Sequence, residues 1–144
     1  MKKIVLLINM LLVGTVLLAQ TDSWKITWKK KTILQASKED ENANTKKINK
    51  IDLDKAYSLE ITYKEADPKK IKSLTRSFLF FGETDNELFR KDSTRSMKLS
   101  ATELKKLFGD KKKIKVYTIA IPSDPNMAAR VRVRRVHLCT LELQ

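Results

Sequence analysis

Three arginines at alternate positions, Arg130, Arg132 and Arg134, come nearest in this chain to a recognisable chemistry. In an extended strand, alternate side chains leave one face about 6.6–7 Å apart. That interval is close to the repeat of phosphates on an extended strand or of charges on an acidic glycan. Lys111-Lys112-Lys113 and Lys115 stand on the preceding segment, so Lys113 and Lys115 are expected to widen the patch. No aromatic residue accompanies it, which leaves base stacking without support and makes nucleic acid a poor partner. The competing reading is a solvated strand whose charges deter edge-to-edge aggregation.

Other reactive residue types are sparse. The chain has one histidine and one cysteine, His137 and Cys139. Two residues apart on a strand, they should leave the same face with Cα atoms about 6.5–7 Å apart, too stretched for a thiolate–imidazole pair. As metal ligands they are too few for a structural zinc site. Glu39-Asp40-Glu41, with Asn42 and Asn44 nearby, lacks the alternating oxygen ligands and central glycine of a calcium loop. A solvated loop that offsets nearby lysines is the simpler reading. Asp124, between Ser123 and Pro125, fits turn chemistry. The three glycines form no phosphate-cradling loop, and no serine sits in a nucleophile elbow. No catalytic residue, metal or cofactor is expected. Trp24 and Trp28 would form a sugar-stacking platform if exposed, but at strand spacing they read as core.

The elements that must position these residues are mostly strands. Trp24, Ile26 and Trp28 alternate with polar residues, and so do Tyr57, Leu59, Ile61 and Tyr63. Lys29-Lys30-Lys31 separates the first strand from Thr32-Ile33-Leu34, and a polar loop follows from Ser37 to Asn44. Ala66-Asp67-Pro68 reads as a turn. Ser77 to Phe81 is a continuous apolar run suited to a central strand, with Glu87 to Arg90 returning beside it as a hairpin. Ser96 to Leu99 alternates again.

One helix is predicted, Ala101 to Phe108, as a crossover. Ser100 and Glu103 make a capping box, Leu99 and Leu104 a hydrophobic staple, and Gly109 a left-handed stop. Two long strands are expected at the end, Ile114 to Ile121 and Ala129 to Leu143. Ile119 should then face Val131 and Tyr117 face Val133, leaving the arginines on the other side. The inward phase changes after Arg134, from Val131 and Val133 to Val136 and Leu138, which predicts a β-bulge at Arg134-Arg135.

Residues 1–19 read as a secretory leader. Lys2 and Lys3 precede an uncharged apolar run from Ile4 to Leu18, and Ala19 stands before Gln20-Thr21-Asp22-Ser23. The second reading is an uncleaved anchor, although the run is shorter than the roughly 20 apolar residues a bilayer span takes. The remainder, residues 20–144, is one domain by size, and no membrane span is expected in it. With Lys2 and Lys3 set aside, the formal net charge falls from +13 to +11. Such a field favours anionic partners. A lone thiol inside a dense apolar strand should be buried.

The layout resembles small exported β-sandwich proteins of unknown function from Bacteroidota. The resemblance rests on Leu17-Leu18-Ala19-Gln20, Trp24-Lys25-Ile26 and the closing Val131-Arg132-Val133-Arg134-Arg135-Val136-His137-Leu138-Cys139. It implies an exported location and a β-sandwich, and no activity. The expected fold is all-β, an antiparallel immunoglobulin-like sandwich of about seven strands with one short crossover helix. The expected protein is a non-enzymatic periplasmic or extracellular module that contacts an anionic glycan, a lipid headgroup or an envelope protein. A hydrolase with an unrecognised site is the alternative, and so is a subunit of a surface assembly that uses an open edge strand.

Overall fold

The computed structural model describes residues 21–144; the predicted leader lies outside the described residues. Nine strands follow in order: β1 (Ser23–Trp28), β2 (Lys31–Ala36), β3 (Thr45–Ile48), β4 (Ser58–Lys64), β5 (Leu74–Phe81), β6 (Glu87–Lys91), β7 (Ser96–Ser100), β8 (Lys113–Pro122) and β9 (Val136–Leu143). Short helices interrupt them: α1 (Pro68–Ser73), α2 (Ala101–Phe108) and α3 (Pro125–Ala128), with a 3-10 turn at Lys50–Asp54. The strands form a four-stranded sheet, β2-β1-β4-β7, and a five-stranded sheet, β3-β9-β8-β5-β6. The fold is therefore all-β and sandwich-like, with nine strands rather than seven. Every ladder is antiparallel except β3 with β9, which is parallel.

The period-2 pattern explains the inner faces. Trp24, Ile26 and Trp28 of β1 meet Tyr63, Ile61 and Leu59 of β4 across the ladder, and all six are buried. From the other sheet come Phe78, Phe80, Ile114, Val116, Leu138 and Leu141. The tryptophans are thus core residues: Trp24 donates from Nε1 to the Leu138 carbonyl at 2.9 Å and stacks on Tyr63. β1 and β2 join through Lys29 and Lys30, both at positive φ (53° and 62°), where Asn-Gly would be usual. Lys29 is held there by an ion pair to the buried Asp52.

Helix α2 matches its sequence signals from cap to stop. Ser100 accepts from the Glu103 N–H and the Glu103 carboxylate accepts from the Ser100 N–H. Gly109 ends the helix at φ 54°. Buried Leu104 and Phe108 seat α2 in the core as the chain crosses from β7 to β8. The Ala66-Asp67-Pro68 turn is the start of α1: Asp67 caps the Lys69 N–H and Pro68 opens the helix.

The C-terminal third departs from expectation. The long strand predicted from Ala129 begins only at Val136, so Arg130, Arg132 and Arg134 lie on no strand. Tyr117 pairs with His137 and Thr118 with Val136, in place of Val133 and Val131 opposite Tyr117 and Ile119. The bulge expected at Arg134-Arg135 falls instead at Leu138, which has no partner between His137 and Cys139. Asp124 and Pro125 turn the chain away from β8, next to a second apolar cluster on the outward face of the five-stranded sheet, Leu79, Phe81 and Ile119 flanked by Tyr117 and Ile121. Buried on both faces, β5 reads as a continuous apolar run. Residues 123–135 leave the sheet as a strap beside this cluster, and α3 packs on β8.

Candidate functional site

The strap is shaped locally before it is charged. Asp124 accepts the Asn126 N–H at 2.8 Å and Pro125 begins α3, so the chain turns away from β8. Arg130 N–H closes the turn on the Met127 carbonyl at 3.0 Å. From Val131 to Arg135 no backbone–backbone hydrogen bond forms among the described residues. Val131 and Val133 are 42% and 39% exposed.

Its far end is fastened. The Arg135 guanidinium lies 4.6 Å over the Phe81 ring and 5.2 Å over Tyr117, and donates twice to Asp85 at 3.3 and 3.2 Å. The Asp85 pairing raises the Arg135 pKa further, fixing its charge. Arg134 pairs with Glu39, whose other oxygen accepts the His137 N–H at 2.6 Å. Arg130 and Arg132 are exposed and have no acidic partner among the described residues.

Lys113 and Lys115 project outward from β8, but each is already engaged. Lys115 Nζ lies 2.6 Å from Glu41 and Lys113 Nζ 3.7 Å from Glu142. The first pair raises the Lys115 pKa and lowers that of Glu41, each chiefly through their mutual hydrogen bond. Glu83 accepts the N–H groups of Lys112 and Lys113, both at 2.9 Å. Glu41, Glu83, Lys113 and Lys115 line an open cleft of about 430 Å³ that also carries Asn42, Thr45 and Thr140. Its charges are balanced. The predicted arginine ladder with flanking lysines therefore divides into neutralised members (Lys113, Lys115, Arg134) and free ones (Arg130, Arg132).

The acidic loop serves as the clamp. Glu39 holds the strap, Glu41 holds Lys115, and Asp40 caps the Ala43 N–H at 2.9 Å. No cluster of three metal-ligating side chains occurs among the described residues.

His137 and Cys139 do not share a face, because the bulge at Leu138 separates them. His137 stands edge-on to Tyr117 at 5.5 Å, with Nε2 3.0 Å from Thr140 Oγ1 on the outward side. Burial lowers its pKa. Cys139 is a free, fully buried core residue, and desolvation pushes its thiol pKa far up. A thiol held protonated in this way is inert as a nucleophile.

One polar constellation gave no local signal in the sequence. Glu65, with a fully buried side chain, accepts from Arg76 Nε and Arg95 Nε, each at 2.9 Å. Arg76 also stacks 3.7 Å over Tyr63 and donates to Thr118, while Arg95 caps the end of α1 at the Ile71 and Leu74 carbonyls. Asp22 accepts from the Tyr63 hydroxyl and the Ala66 N–H. Burial works to raise the Asp22 pKa, but those donors, with Lys70 and Arg76, hold it below 3.8. No protein-family model matches this chain, and no curated protein matches it in sequence.

Proposed function

We propose that this protein is an exported, non-enzymatic binding module that holds an acidic partner on the strap at residues 130–135. Export rests on the leader read in residues 1–19, and with it go the periplasmic or extracellular location and the likeness to small Bacteroidota proteins. An immunoglobulin-like architecture of the sandwich belongs to the same proposal.

One observation carries the reading: Arg130 and Arg132 are exposed and without an acidic partner among the described residues, on a segment that Arg134 and Arg135 fasten through Glu39 and Asp85. An exposed guanidinium keeps its long-range field and its forked donors for a ligand. Arg134 and Arg135, tied to Glu39 and Asp85, hold the segment in place beneath them. Ordering cost on binding is correspondingly reduced.

Titration with heparin or poly-L-glutamate at rising salt tests the proposal. Binding should weaken steeply with salt, since each neutralised charge contributes to the slope. Arg132→Glu should abolish it. Affinity unchanged by that reversal removes the strap from consideration.

A further inference from the structure

The strap has the sequence of a strand and the fold withholds a partner from it. Val131-Arg132-Val133-Arg134-Arg135 alternates β-branched and long charged residues, the composition of a half-exposed strand. It runs directly into β9, yet its N–H and C=O groups make no backbone hydrogen bonds among the described residues. Pairing in this corner stops at Thr118 with Val136, so Ile119–Ile121 of β8 is laddered only to β5. Backbone groups left unpaired next to a strand are a template for another chain.

We propose that residues 131–135 are a docking strand for an extended acidic peptide segment of a partner protein, which pairs with the strap backbone while its carboxylates meet Arg130 and Arg132. This deepens the reading above and rests on it. Three features favour a peptide over a glycan or a lipid headgroup. Only a peptide can satisfy the open N–H and C=O groups in a ladder. Carboxylates on flexible side chains can reach both Arg132 on the strap and Arg130 in the turn before it, with no fixed charge spacing required. Val131 and Val133 offer aliphatic surface between the charges, suited to small aliphatic side chains across the ladder. The strap is fastened at Arg134 and Arg135, so a docking peptide orders little more than itself.

The test uses four probes against the whole protein: a peptide of alternating glutamate and valine, the same peptide N-methylated throughout, heparin, and phosphatidylglycerol vesicles. The unmodified peptide should bind and raise the hydrogen-exchange protection of the Val131 to Arg135 amides. N-methylation removes the ladder donors but keeps the carboxylates, and should weaken binding about tenfold or more, some 1.4 kcal/mol. The double variant Arg130→Glu/Arg132→Glu, with an unfolding midpoint unchanged, should lose the peptide. Equal affinity for the N-methylated peptide overturns the docking strand. Binding of heparin or vesicles without the peptide also overturns it, while leaving the acidic-partner reading in place. If none of the four binds, both fall together.

Discussion

Two sets of arginines in this protein differ in what surrounds them. Around Glu65, Arg76 is taken out of water and Arg95 mostly so, and every charge is met: Glu65 receives both Nε donors, Tyr63 covers Arg76, and α1 ends on Arg95. On the strap, Arg130 and Arg132 remain in solvent with no acidic partner among the described residues. Burial makes a charge expensive unless it is paired, so the first set is bound to structure. Solvent makes a charge inexpensive to leave alone, so the second stays available to a ligand. Residue type is the same in both, and the dielectric around it sets the role.

The comparison is most sharply tested at its buried pole. Glu65→Leu leaves Arg76 desolvated without its anion and should cost about 3–5 kcal/mol, seen as a lower denaturant midpoint. Adding Arg76→Met in the same background should recover part of that loss; no recovery would mean that Glu65 acts through packing rather than charge. Arg95, a quarter exposed, is intermediate: Arg95→Ala removes a charged hydrogen bond and the α1 cap, for about 1.5–3 kcal/mol.

The alkaline response is smaller again. Burial, with Asp22 and Glu65 opposing the Arg76 charge, pushes the Tyr63 hydroxyl from 10.0 up to about 12. The folded state therefore holds this proton longer than the unfolded one. Stability from this group is intact below about pH 10 and declines as pH rises toward 12. Tyr63→Phe should flatten that decline in pH-dependent unfolding. At the exposed pole, Arg132→Ala should leave stability within about 0.5 kcal/mol. A larger loss would show that the strap arginines are structural after all.

How far this could be read from sequence depended on the range of the forces involved. β1, β4 and β7 follow from alternation, and α2 from Ser100, Glu103 and Gly109, because those signals are local. The burial of Trp24 and Trp28 was equally legible. β3 was missed because Thr45-Lys46-Lys47-Ile48 shows no alternating apolar face; its parallel partner β9 lies almost a hundred residues on. The strap was misread as strand for the opposite reason. Its local signal is real, but the Asp124-Pro125 turn and the pairing of Arg134 with Glu39 and Arg135 with Asp85 draw the chain off the sheet. Glu65 finds Arg76 and Arg95 from 11 and 30 residues away, a juxtaposition that no local pattern encodes.

The most direct measurement is calorimetric titration of poly-L-glutamate into two double variants, Arg130→Ala/Arg132→Ala and Lys113→Ala/Lys115→Ala. Both remove two positive charges; only the first removes charges that have no internal partner. The arginine pair should weaken binding roughly tenfold while the lysine pair changes it by less than about threefold. Equal losses, or a larger loss from the lysines, would contradict the division between free and neutralised charge on which the account stands.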